Sequence, residues 1–144
     1  MENKRVALFK SFIGKDLSNS PSPYAKWLKG ILRDVTENSL SVEFLVRKEM
    51  TNPVGMLHGG VTAGMIDDVM GANVFLLDLG EFYASVTLNI DFFASAKEGQ
   101  KVTVTTTVVK KGKTVINLSA KVVNETGKIL AQASSNVVNT HIKF

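Results

Sequence analysis

The run Asn52-Pro53-Val54-Gly55-Met56-Leu57-His58-Gly59-Gly60 leads straight into a helical pattern that carries Asp67. That spacing gathers an amide, an imidazole, main-chain N–H groups and a carboxylate around the start of one helix. A helix start exposes unpaired N–H donors and carries roughly half a positive charge. Such a place suits the negative oxygen that develops when a thioester carbonyl is attacked. A carboxylate within reach could activate water or attack the carbonyl itself. The pattern therefore points to acyl transfer.

Each of these residues also has a plainer reading. His58 stands at a loop-to-helix junction, where its ring could cap the turn and leave the Gly59 N–H for a substrate. Gly59 and Gly60 permit close approach but equally make an ordinary turn. Asn52 before Pro53 is a usual loop opener, and its amide could instead orient water or a thioester. Ser85 opens the polar face of a strand as a solvated serine would, and no histidine stands in a motif that would make it a nucleophile. His58 and His141 are far apart and no paired-ligand spacing exists, so no metal site is expected. No cofactor is expected either. Lys110-Lys111-Gly112-Lys113-Thr114 reads as a polar hairpin turn that could also meet the phosphates of a nucleotide carrier.

The helix that positions Asp67 runs from the Gly59-Gly60 pair to about Asp78. At about 100° per residue, Gly60, Gly64, Asp67 and Gly71 share a stripe roughly 60° wide. Three glycines on one stripe cost about 2–3 kcal/mol in helix propensity, which close backbone approach, to the sheet or to a second subunit, would offset. If the stripe is packed, Asp67 is the less hydrated acid and Asp68, rotated about 100° away, the more hydrated one.

Around this helix, residues 2–13 carry Val6, Phe9, Phe12 and Ile13 at helical spacing. Ser18 to Pro23 is a breaker and loop. Trp27–Val35 and Ser39–Arg47 read as strands, the second alternating Leu40, Val42, Phe44 and Val46 against Ser41, Glu43 and Leu45. Ala84–Phe93, Lys101–Lys110, Thr114–Val123 and Lys128–Asn139 follow as strands, and their connections imply an antiparallel meander. The class is α+β, with one long helix on one face of an antiparallel sheet.

The 144 residues fit one domain, 1–144, with 1–26 as an N-terminal helix and loop. The absence of cysteine excludes disulfides, thiolate nucleophiles and zinc-thiolate sites. Seventeen Lys and Arg against thirteen acids leave a net charge of +4. That is either a solvated surface or a basic groove for a phosphorylated ligand such as coenzyme A. With no Arg-rich run and no helix-turn-helix pattern, nucleic acid is not expected as a partner. No apolar run approaches the roughly 20 residues that span a bilayer. The first fifteen residues lack a signal peptide's pattern. A cytoplasmic protein without membrane partners is the expectation.

The stretch Asn52–Asp67, together with Ser85-Val86-Thr87-Leu88-Asn89-Ile90-Asp91-Phe92, resembles the PaaI-like acyl-CoA thioesterases of the hotdog superfamily. The likeness extends from about Arg33 to Val138 and takes in Ala94-Ser95-Ala96-Lys97-Glu98-Gly99 and the Gly112-Lys113-Thr114 turn. It implies a hotdog fold, five to six antiparallel strands wrapped around one long central helix. It also implies a homodimer with the active site between subunits, and pairing of dimers into a homotetramer. Asn52, His58 and Gly59 of one chain would face Asp67 and Ser85 of its partner. The Gly59 N–H would polarise the thioester carbonyl and Asp67 would act as base or nucleophile. Asn52 and His58 would position water or the leaving thiol, and Ser85 would hold Asp67 or water. Gly60 and the 110–114 turn would meet the coenzyme A portion. Two alternatives keep the fold: a non-catalytic acyl-CoA-binding or sensing protein, and a hotdog enoyl-CoA hydratase. Met56, Leu57, Met70, Phe75 and Phe82 could line a tunnel for a medium-chain or aryl acyl group, or could simply be core.

Overall fold

The computed structural model describes residues 1–144. In chain order the elements are α1 (Lys4–Lys10), α2 (Pro23–Leu28), β1 (Ile31–Val35), β2 (Ser39–Leu45), a 3-10 turn (Lys48–Met50), α3 (Gly59–Leu76), β3 (Glu81–Phe92), β4 (Lys101–Lys111), β5 (Val115–Asn124) and β6 (Ile129–Lys143). One six-stranded sheet has the order β1-β2-β4-β5-β6-β3, and every neighbouring pair is antiparallel.

Period-2 alternation builds the inner face of the sheet. Leu40, Val42 and Phe44 of β2 are buried and face Thr106, Val104 and Val102 of β4 in register. Ile116, Leu118, Ala120 and Val122 of β5 continue that face. Against it packs α3, whose buried residues Thr62, Met65, Ile66, Val69, Met70, Asn73 and Val74 follow i, i+3, i+4 spacing. Asn73 fixes the helix to the sheet. Its Nδ2 donates to Thr106 Oγ1 at 3.0 Å, the Thr106 carbonyl at 3.2 Å and the Asn38 carbonyl at 3.3 Å.

The C-terminus of α3 has no basic residue of its own in the last turn. The N-terminal segment supplies one. Arg5 Nη1 donates to the Phe75 carbonyl at 2.8 Å, and its Nε pairs with Asp78 at 3.0 Å. The same guanidinium lies 3.9 Å from the Phe75 ring centroid, and Asn3 Nδ2 donates to the Leu76 carbonyl at 2.7 Å. Positive charge and donors there answer the orphan carbonyls and negative end of the dipole.

Three expectations need correction. Trp27 and Leu28 belong to a helix, not a strand. Ser22 caps it by accepting from the Ala25 N–H at 3.2 Å, and Pro23 holds its first position. A Ser-Pro pair is a helix-start signal as well as a breaker. The last four strands are not a simple meander either. Only β4-β5-β6 pair in succession, while β3 crosses to the far edge and pairs with β6 alone. Finally, the stripe bearing Gly60, Gly64, Asp67 and Gly71 is not packed into the core, which the other side of α3 meets; it turns toward α2 and the edge strand β3, with Tyr24 over Gly64 and Ser85 on Asp67. Asp67 is exposed and Asp68 is half-buried, the reverse of the packed-stripe expectation.

The two sheet edges differ. Residues 14–17 cover β1 through main-chain bonds from Gly14 to Leu32, from Leu17 to Gly30 and from Leu32 to Lys15. The twelve-residue β3 has no such cover and exposes Phe82, Val86 and Phe92. A long, apolar, unpaired edge is a template for pairing with another strand.

Candidate active site

The loop before α3 is held on both sides by main-chain bonds. The Asn52 N–H donates to the Met56 carbonyl at 2.7 Å, the Leu57 N–H to Ala96 at 2.7 Å, and the His58 N–H to Met50 at 2.8 Å. The side-chain oxygen of Asn52 accepts from the N–H groups of Val54 and Met56, each at 3.1 Å. This Asx turn gives the asparagine a loop-building role and still leaves its NH₂ group without a protein partner.

His58 is the N-cap of α3. Its backbone is extended at φ −63°, ψ 133°, and Nδ1 accepts from the Gly60 N–H at 2.9 Å. With Nδ1 occupied as an acceptor, the ring proton sits on Nε2, which remains a donor. The Val61 and Thr62 N–H groups both bond the His58 carbonyl at 3.0 Å. Of the four orphan donors at this helix start, only the Gly59 N–H has no partner in the chain. The structural and chemical readings of His58 are therefore compatible. By satisfying Gly60, the ring leaves Gly59 as the single open donor at the positive end of the helix.

Asp67 lies two turns further along. Ser85 Oγ donates to its Oδ1 at 3.0 Å. Ser85 sits opposite Val137 on the helix-facing side of β3, next to a bulge at Val86 that shifts the β3–β6 register. Bulges of this kind re-aim a side chain. An open groove of about 380 Å³ runs along this pair, lined by Ala63, Gly64, Asp67, Ser85, Val86, Thr87 and Leu88.

The five catalytic candidates therefore form two clusters in one chain: Asn52, His58 and Gly59 at the helix start, Asp67 and Ser85 two turns away. Of the expected coenzyme A contacts, Lys110, Gly112 and Thr114 border a second hollow of about 330 Å³ with Asn117 and Asn136. Lys111 and Lys113 are exposed on the same turn but do not border it. Gly112 is required there, because a Cβ would press on the Val115 carbonyl that its own N–H bonds. Gly60 meets the His58 ring.

Sequence reasoning passed over Tyr24 and read Asp68 only as the more hydrated helix acid. Tyr24, on α2, lays its hydroxyl over Gly64, so that a methyl group there would overlap the phenol oxygen. Ser22 Oγ donates to Asp68 Oδ1 at 3.2 Å, tying α2 to the turn of α3 that bears Asp67. Burial raises the Asp68 carboxyl above its usual range, the Ser22 hydrogen bond opposes that rise, and the Asp67 charge adds to it. The Ser22-Pro23 helix-start signal was the legible clue to this helix.

Residues 54–131, more than half of the chain, match the family model of the thioesterase superfamily. The chain is 37% identical over 91 residues to acyl-coenzyme A thioesterase 13 of Homo sapiens, covering 62% of this chain. The match spans 65% of that relative, just under two thirds of its length. Among solved structures, it is similar to a phenylacetic acid degradation-related protein of Ralstonia eutropha JMP134, with 28% identity and a TM-score of 0.75 over 83% of this chain and 92% of that one. The E. coli PaaI protein of the phenylacetic acid degradation operon shares its fold at a TM-score of 0.84, with 99% of both chains covered at 18% identity. The long helix on an antiparallel sheet is the hotdog fold, and the chain belongs to the thioesterase superfamily. No helix is long and apolar enough to cross a membrane.

Proposed function

We propose that this chain is an acyl-CoA thioesterase that acts as a two-fold dimer, cleaving a medium-chain or aryl acyl-CoA to the free acid and coenzyme A. The observation that carries this reading is the open Gly59 N–H at the start of α3 in a chain whose carboxylate, Asp67, stands in a separate cluster. The uncovered β3 edge supports the dimer, since a second β3 pairing there would extend the sheet and bring the two kinds of cluster together. The acyl-CoA thioesterase relative and the family match support the substrate class.

In this mechanism the Gly59 N–H of one protomer polarises the thioester carbonyl. Asp67 of the other takes a proton from water, whose oxygen adds to the carbonyl carbon, or attacks that carbon itself. The oxyanion that forms is held by the Gly59 N–H and the helix dipole. The C–S bond then breaks and the thiolate leaves, with the Nε2–H of His58 and the NH₂ group of Asn52 placed to meet sulfur or water; where Asp67 has attacked directly, water then hydrolyses the resulting anhydride to free acid and Asp67 carboxylate. Ser85 fixes the Asp67 rotamer. Lys110, Lys111 and Lys113 offer charge to the coenzyme's phosphates, beside Gly112 and Thr114. Incubating the purified protein with a panel of acyl-CoAs and a free-thiol reagent tests the reading. Thiol release with at least one acyl group is expected. Binding without release, or hydration of an enoyl-CoA with the thioester intact, contradicts it.

A further inference from the structure

Tyr24 belongs to no part of the mechanism above, yet its phenol occupies the side-chain position of residue 64 on α3. Residues 64 and 67 are three apart, so they are neighbours on the helix surface, about 4.5 Å apart along the axis. In effect α2 lends α3 a side chain one turn before the carboxylate. Gly64 also lines the groove that holds Asp67 and Ser85. The phenol, seated over Gly64, therefore lies beside the lining of that groove, on the side nearer the start of the helix.

The ring is held in place. It stacks on Trp27 at a centroid distance of 5.8 Å and an interplanar angle of 23°. Trp27 is backed by the Arg47 guanidinium, 5.2 Å from its ring centroid. Arg47 in turn donates to the last carbonyls of α2, through Nη1 to Leu28 at 3.0 Å and Nη2 to Trp27 at 2.5 Å. The Ser22–Asp68 bond fixes the other end of α2 to α3. The Tyr24 hydroxyl has no hydrogen-bond partner in the chain, and the residue is 39% exposed. Burial, then the charges of Asp68 and Asp67, raise its pKa above the usual phenol value, so it keeps its proton and acts as a donor.

We propose that Tyr24 is the specificity-determining wall of the acyl pocket. Its ring bounds the acyl group on the side of the groove nearer the start of α3, and its hydroxyl selects acyl groups that carry a hydrogen-bond acceptor at their far end. This rests on the thioesterase reading. In this proposal the acyl group runs along the groove past Val86 and Leu88 of β3, with its carbonyl toward Asp67 and the phenol over Gly64 bounding it.

The test compares Tyr24→Phe and Tyr24→Ala with the unmodified protein on two sets of substrates. One is a ladder of straight-chain acyl-CoAs of increasing length; the other is phenylacetyl-CoA beside its para-hydroxy derivative. Thiol release gives kcat/KM for each, and circular dichroism gives the melting temperature. Tyr24→Ala shifts the optimum to longer chains, raising the long-to-short ratio of kcat/KM about tenfold or more, the scale of discrimination by pocket size. Tyr24→Phe keeps the length optimum but loses preference for the hydroxylated aryl group. A uniform loss across the ladder, with the shape of the profile unchanged, assigns Tyr24 a purely structural role and overturns the proposal. If the unmodified protein releases no thiol from any substrate, the hydrolytic reading falls separately. The length profile is then read from binding of the same panel by calorimetry, and an unshifted binding profile in Tyr24→Ala overturns the proposal.

Discussion

Gly59 and Asp67 lie on one helix eight residues apart, which at 1.5 Å per residue puts them about 12 Å apart along its axis. An oxyanion donor must lie about 3 Å from the oxygen it stabilises, and a base or nucleophile about as close to the reacting atoms. An aspartate side chain is too short to close that gap. In the proposed mechanism the two groups of one chain therefore serve different carbonyls, and a complete site draws on a second chain. The proposed dimer across β3 meets that geometric demand.

Asp67→Asn keeps the size of the side chain and an oxygen that can accept from Ser85, but removes the basic carboxylate. Turnover is expected to fall by about 10²–10⁴-fold, the usual contribution of a positioned base, while affinity for a non-hydrolysable acyl-CoA analogue changes little. Steady-state kinetics beside calorimetric binding checks both halves. An unchanged kcat removes Asp67 from the mechanism.

Gly59 offers a clean deletion of a backbone donor. It is the first helical residue, where proline is favoured, and His58 before it is already in the extended conformation that proline demands of its predecessor. A Cβ there would make only ordinary contact with Phe92, at 3.6 Å. Gly59→Pro should fold with little change in melting temperature and lose about 10²–10³-fold in kcat. Gly59→Ala retains the N–H and should retain much more of the rate.

Arg5→Ala removes the cation, the hydrogen bond and the ring contact that finish α3. A loss of about 2 kcal/mol is expected for a charged hydrogen bond at a helix C-terminus, read as a drop of several degrees in melting temperature. The residue lies far from both clusters, so kcat at 25 °C should hold.

Asp68 contributes a pH dependence of known sign. Its carboxyl is raised above 3.8 in the folded protein, so the folded state binds that proton more tightly than the unfolded chain does. Stability from this group is full below the unfolded pKa and falls as pH rises through the folded one. Asp68→Asn keeps an acceptor for Ser22 and should raise the melting temperature at pH 7. The gain should vanish near pH 3. A gain of equal size at both pH values contradicts the desolvation account.

The sequence carried the local site well, because each part of it is a local signal. The Asn52-to-Gly60 run is a helix entrance by residue type, and the alternation of Leu40, Val42 and Phe44 is a buried strand face by period alone. What escaped was set by long-range packing. Nothing near Glu81–Phe92 announces that this strand crosses to pair with β6 at the edge, since hairpin spacing is read only between sequence neighbours. Nor does the stripe on α3 reveal which way it faces, so Asp67 and Asp68 exchanged environments. Gly64 looked like a place for two helices to meet. In the fold its space belongs to Tyr24, forty residues earlier, on a six-residue helix too short for periodicity to show.

The sharpest test mixes two dead proteins. Gly59→Pro and Asp67→Asn each destroy both sites of a homodimer. A heterodimer of the two holds one doubly damaged site and one in which both groups are intact. Co-expression with different affinity tags, or unfolding and refolding together, should restore about a quarter of the normal activity, because random pairing of two protomer types makes about half the dimers mixed and each has one working site. A mixture as inactive as either variant alone, with mixed dimers confirmed by tandem purification, would show that the Gly59 N–H and the Asp67 carboxylate do not act on the same thioester.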